Sequence, residues 1–255
     1  MSYYVLACFA VTLALAIGVG YVFTLSGISV VEQPDNPANA IYFFGYIVVS
    51  AIVLLLVLKY YHGTRLFTLL ELLINFTSVQ LIAVLFLNEW ESMVAGLLAV
   101  VLRLAIPASR NLWLLLTTAV IGALLGSSLG IIPAVALAIL LSAYDYYAVF
   151  ISKHMVTMAE QLQQRKAAFA LAVRHQQESL HLGTGDLVVP SMMAVSALKI
   201  APHPLGLAAA VSVAFGCFVG LAVLLYAMEI RRGYWPALPP IVGMGLVALV
   251  TFVFL

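Results

Sequence analysis

Charge is what this sequence has least of. Aspartate, glutamate, lysine and arginine make up 8% of the chain, against about 25% in an ordinary soluble domain. That excludes a water-facing surface over most of the molecule, and the 65% of hydrophobic residues fall in long runs instead. Cysteine is nearly absent too. Cys8 and Cys217 both lie inside apolar runs, which excludes a disulfide framework and makes them small buried hydrophobes. No Cys/His cluster has metal-ligand spacing, so neither a metal nor another cofactor is expected. A net charge of +1 gives no case for a nucleic-acid partner. No basic segment precedes the first apolar run and no convincing cleavage site follows it, so it reads as a retained span rather than a signal peptide. An internal repeat of the kind many transporters show is also missing.

What is present is a series of apolar segments near the ~20 residues that a membrane-crossing helix requires. They run from about Tyr3 to Leu25, Ile41 to Leu58, Leu66 to Leu87, Met93 to Ile106, Leu112 to Leu129, Ile131 to Ile151, Leu180 to Ile200 and Leu205 to Met228. A ninth follows Trp235-Pro-Ala-Leu-Pro-Pro240 and reaches Leu255. Pro133 suits the first turn of the sixth, and Pro190 is expected to kink the seventh. Ser152–His181 is the longest polar stretch and reads as an exposed tether with some helix. The expectation is an all-α polytopic membrane protein with nine transmembrane helices in one membrane domain. Residues 1–151 carry six spans, 152–181 form the loop after the sixth, and 182–255 carry the last three. Ten of the eleven Lys and Arg residues then fall on one side, with only Lys199 on the other. By the positive-inside rule the N-terminus is cytoplasmic and the C-terminus outside, in a multi-pass protein of the cell (plasma) membrane.

Two acids stand out against this background. Asp145 lies in Leu141-Ser-Ala-Tyr-Asp-Tyr-Tyr-Ala, near the end of the sixth span, and Asp186 lies in Gly183-Thr-Gly-Asp, near the start of the seventh. A carboxylate at hydrocarbon depth costs ~2.5–3.5 kcal/mol on insertion scales, so it marks a functional site by default. Asp145 is roughly 20 Å along a span running toward the cytoplasm, and Asp186 is one to two turns into a span running back. Both reach one level, which suggests a single two-carboxylate centre. Two carboxyl groups sharing a site hold one proton between them, and here Asp145 is expected to carry it, because Asp186 sits at a favourable helix N-terminus. The acid of such a pair can polarise an amide carbonyl while its base deprotonates water.

The surroundings suit that chemistry. Gly183 and Gly185 leave room beside Asp186 for a backbone to approach, and Tyr144 sets an amphipathic ring beside Asp145. Pro236, Ala237 and Leu238 begin a segment too rich in proline to start as a regular helix, so it should leave backbone groups unpaired. Irregular backbone in a membrane is tolerated when buried or lining a wet cavity, which predicts one between the sixth, seventh and ninth spans. Elsewhere, Glu71, Asn75 and Ser78 at helical spacing either line a cavity or, the favoured reading, make interhelical hydrogen bonds, and Arg103 is expected to snorkel to the membrane surface.

Tyr144-Asp145, Gly183-Thr-Gly-Asp186 and Pro236-Ala-Leu238, in this order and on these spans, resemble the presenilin and signal-peptide-peptidase family of intramembrane aspartyl proteases. The cytoplasmic N-terminus is similar to presenilin, and the modest size to an archaeal homologue. The resemblance implies catalytic Asp145 and Asp186, with Pro236, Ala237 and Leu238 shaping the site and binding substrate. It implies single-pass transmembrane helices of other proteins as substrates, met within the lipid bilayer and unwound locally for cleavage. Nothing in the sequence suggests accessory subunits, so activity alone is expected; a homo-oligomer stays open. The loop after the sixth span is shorter and less apolar than the presenilin segment cut during maturation, so self-cleavage does not carry over. Two other readings compete: a prepilin- or preflagellin-type leader peptidase, and a proton-coupled transporter using the acids as a relay.

Overall fold

The computed structural model describes residues 2–61, 63–106, 109–150, 170–175, 178–230 and 235–254. Its elements are α1 (Ser2–Leu25), α2 (Ala38–Tyr60), α3 (Arg65–Ala83), α4 (Glu89–Ala105), α5 (Arg110–Ser128), α6 (Ile131–Phe150), β1 (Ala170–His175) and β2 (Glu178–Gly183). Then follow α7 (Gly185–Ser196) with a 3-10 turn at Ala197–Lys199, α8 (Leu205–Ile230) and α9 (Leu238–Phe254). Among the described residues six helices, α1, α2, α3, α5, α6 and α8, are long and apolar enough to cross a membrane. The shorter α9 is apolar as well.

The short α7 is the axis of the molecule. It packs against α1, α5, α6, α8 and α9, while α2 leans on α6, and the α3–α4 pair joins through α5. From Leu187 onward its residues are apolar or small on every face, the pattern of a helix with no solvent side, and Val189–Leu198 are all buried. Its two buried hydroxyls turn inward on their own helix: Ser191 donates to the Leu187 carbonyl at 2.8 Å and Ser196 to that of Met193 at 2.9 Å. Lipid offers apolar side chains no reason to leave it, so close helix contact in a membrane depends on small residues. They are here. A Cβ on Gly122 of α5 would strike Ser191, one on Gly126 would lie 2.6 Å from the Met192 carbonyl oxygen, and one on Gly20 of α1 would strike Val195.

The far end of α7 is tied down by charge. Lys199 donates to the Ser127 carbonyl and, at 3.0 Å, to the Leu129 carbonyl, satisfying groups left open where α5 ends. The α1–α2 loop lies over the same place, with Val30 N–H on Ser128 Oγ at 2.9 Å and Gly130 N–H on the Pro34 carbonyl at 2.8 Å. The one basic residue that charge counting left on this side is therefore a structural fastening.

Several expectations need correction. Helix α4 starts at Glu89, not Met93, because the Glu91 carboxylate reaches back to the Asn88 N–H at 3.1 Å and caps the first turn. Arg103 does not snorkel. Its guanidinium holds Glu71 of α3 through Nε at 2.8 Å and Nη2 at 2.6 Å, with the two side chains 13% and 15% exposed. Within the exposed tether expected at 152–181, and across the start of the seventh span expected from Leu180, lies an antiparallel hairpin, which pairs Ala170 with Gly183 and His175 with Glu178. The remainder of that tether, 152–169 and 176–177, lies outside the described residues, as do Ile151, Arg231 and Arg232.

Removing one partner from a buried ion pair strands the other charge, at a cost of about 3 kcal/mol or more. Glu71→Ala and Arg103→Ala should each lower the melting temperature in detergent, and Glu71→Leu with Arg103→Met should recover most of the loss. Single variants melting like wild type would show that the pair does not hold α3 to α4.

Candidate active site

Helical spacing decides where Asp145 points. Ala134, Leu137, Ala138, Leu141, Asp145 and Ala148 form the buried face of α6, so the aspartate occupies a core position at 7% exposure. A carboxylate there has to find donors, and the start of α9 supplies them. The Leu238 N–H donates to Asp145 Oδ2 at 3.1 Å, and the Ala237 backbone also donates to the carboxylate. The first four N–H groups of any helix lack partners inside it. In α9 those positions hold Ala237, Leu238, Pro239 and Pro240. The two prolines have no N–H to satisfy, and the other two residues give theirs to Asp145. The proline-rich start therefore orients its few remaining donors onto one carboxylate.

Asp186 is held differently. It sits in the first turn of α7, half-buried, and its Oδ2 accepts the Gly183 N–H at 3.1 Å. Gly183 is the last residue of β2, so the hairpin and the helix meet at this carboxylate. A Cβ on Gly183 would lie 3.2 Å from Oδ2, tighter than most real contacts, while one on Gly185 would meet nothing within 4 Å. Gly183 thus makes room for Asp186 itself, and exposed Gly185 leaves open space beside it. Helices α6 and α7 pack together, and the charge of Asp145 bears on Asp186.

Of the residues singled out from sequence, Asp145, Asp186, Gly183, Ala237 and Leu238 converge. Pro236 is buried just ahead of α9. Tyr144 is turned toward α2, its ring meeting Phe44 edge-on with centroids 6.2 Å apart. Among the described residues the structure holds a cavity of about 100 Å³. It lies between α3, α5 and α7, lined by Glu71, Asn75, Thr117, Thr118 and Thr184 among others. Thr184 and Val188, four residues apart, face it together, whereas Asp186 points about 200° round the helix from Val188. Among the described residues no group of three or more His, Cys, Asp or Glu side chains is placed to hold a metal ion.

The chain matches the family described as "Signal-peptide peptidase, presenilin aspartyl protease" over residues 6–255. No curated protein sequence matches it. Among solved structures it is similar to a presenilin family intramembrane aspartate protease in the C222 space group, at TM-score 0.75 and 22% identity, covering 99% of this chain and 98% of that one. It is similar to a presenilin family intramembrane aspartate protease in the P2 space group, at TM-score 0.69 and 22% identity, covering 96% of each chain. At that identity the likeness is one of fold.

The two glycines beside Asp186 should respond in opposite ways to one added methyl group. Gly183→Ala overpacks the carboxylate and should cost about 1 kcal/mol or more. Gly185→Ala fills open space in a helix and should be neutral or slightly stabilising. Melting in detergent measures both, and equal losses at the two positions would contradict the geometry.

Proposed function

Since this chain belongs to the signal-peptide peptidase and presenilin aspartyl protease family, and is an intramembrane aspartic endopeptidase, we propose that Asp145 and Asp186 are its catalytic acids. The observation that carries this reading is the pair of amide-held carboxylates on two helices that pack together. The pair holds one proton. The ionised carboxyl takes a proton from water as the water oxygen attacks the scissile carbonyl carbon. The protonated carboxyl hydrogen-bonds the carbonyl oxygen as negative charge develops there. Collapse of the tetrahedral intermediate breaks the C–N bond, and the leaving nitrogen takes a proton from the pair. The amides of Leu238, Ala237 and Gly183 fix how the carboxylates face the substrate.

The substrates in this reading are single-pass transmembrane helices, unwound where they are cut. The open space at Gly185 admits the unwound backbone, and the β1–β2 hairpin, with no third strand among the described residues, offers its edge to that backbone. Pro236, Ala237 and Leu238 shape the site from the other side, with Tyr144 steadying α6 against α2. The nine helices among the described residues are read as nine spans of a single membrane domain, 1–151 and 182–255 flanking the 152–181 loop. The N-terminus is cytoplasmic and the C-terminus outside, as the distribution of basic residues supports. The reading assigns the enzyme to the cell membrane and requires no accessory subunit.

The test is purified protein in liposomes with a labelled single-pass transmembrane peptide, followed by product masses. Cleavage inside the apolar segment is expected, lowered at least about 100-fold by Asp145→Asn and by Asp186→Asn without loss of fold. The rate should be bell-shaped in pH: at low pH both carboxyls are protonated and no base remains, and at high pH both are ionised and no acid remains. Cleavage only at a juxtamembrane leader would favour the leader-peptidase reading. Peptide left intact alongside proton uptake would favour the transporter.

A further inference from the structure

We infer that Gly220 of α8 is a positioning residue for Asp145, acting through the backbone of α9. The inference rests on the two-aspartate reading and adds a residue to it from a helix that carries neither acid. Helix α8 meets α9 along one stripe, with Gly216 and Gly220 four residues apart on the same face. A Cβ on Gly220 would strike the Pro240 carbonyl oxygen and lie 2.7 Å from Ile241 Cα. A Cβ on Gly216 would lie 2.5 Å from the Met244 carbonyl oxygen and 2.6 Å from Ala248 Cβ. Each contact includes backbone of α9, so rotating a side chain cannot relieve it.

The two glycines differ in what lies beyond the contact. Pro240 is two residues from Leu238, whose N–H holds Asp145 Oδ2 at 3.1 Å. Pro240 and the intervening Pro239 have fixed φ, so a displacement of Pro240 passes to Leu238 with little absorbed on the way. Met244 is a full turn further along α9. The first turn of α9 is therefore clamped between Gly220 on one side and the Asp145 carboxylate on the other. Bulk added at Gly220 pushes the turn that supplies the donors, whereas bulk added at Gly216 pushes a turn that touches no catalytic group. If these glycines served only to let α8 pack on α9, the two positions would behave alike.

The experiment compares Gly220→Ala, Gly216→Ala and Leu238→Pro with wild type in liposomes, measuring kcat and KM on the transmembrane peptide and the melting temperature of each protein. Leu238→Pro deletes the amide donor at a first helical position, where the ring of proline is accommodated. Gly220→Ala and Leu238→Pro should lower kcat about 10- to 100-fold, with KM within about twofold of wild type. Gly216→Ala should lose about as much melting temperature as Gly220→Ala yet keep kcat within about twofold. Equal kcat losses at 216 and 220, or wild-type kcat in Gly220→Ala, overturn the inference. If Gly220→Ala does not fold, Leu238→Pro decides. Wild-type kcat there removes the link through which Gly220 acts, and a selective loss of kcat supports it. Cleavage retained by Asp145→Asn would overturn the two-aspartate reading and this inference with it. The glycine comparisons bear on the inference alone.

Discussion

A carboxylate buried among apolar helices has to be given hydrogen-bond donors by the protein, because lipid supplies none. Much of this architecture can be read as the means of meeting that demand twice. For Asp145 the donors are backbone amides at a helix start, and proline at the next two positions leaves no competing N–H groups there. For Asp186 the donor is the last amide of a strand. Neither carboxylate relies on a side chain for these bonds. Backbone donors keep their place when side chains change rotamer, and they carry no counter-charge that would lock a carboxyl into its ionised form.

This solution demands rigid placement of the segments that carry the amides. Helix α7 achieves it by being surrounded, with glycines of α1 and α5 letting neighbouring backbones close on it and Lys199 fastening its end. Helix α9 achieves it by lying on the glycine stripe of α8. By contrast, α2 presents most of its apolar side chains outward, as Ile41, Tyr42, Tyr46 and Val49 show. The chain is tightly packed around the acids and loosely packed away from them.

The sequence made the helix order legible because a membrane span is a long signal: runs of about twenty apolar residues cannot easily be anything else. The acids were legible because Asp145 and Asp186 are costly where they stand. What the sequence hid was shorter or more distant. The hairpin at 170–183 lies in a polar stretch with Ala, Leu and Gln nearby, whose helical preference masked six-residue strands. The early start of α4 was written in Asn88 and Glu91, a capping pattern outweighed by the hydropathy of the residues after it. Glu71 and Arg103 are on separate helices, and no local pattern links them. The Leu238 amide could not be read at all, since a backbone group has no letter of its own; only the neighbouring prolines hinted that the helix began unusually.

The fastening of Lys199 also sets a depth scale. Asp186 and Lys199 are thirteen residues apart on nearly continuous helix, about 20 Å at 1.5 Å per residue. One end of that rod is bound to the end of α5, and the other bears the acid. The position of Asp186 is thus set from the end of α5 as well as from the hairpin beside it. The chain carries a ruler, and its zero mark is Lys199.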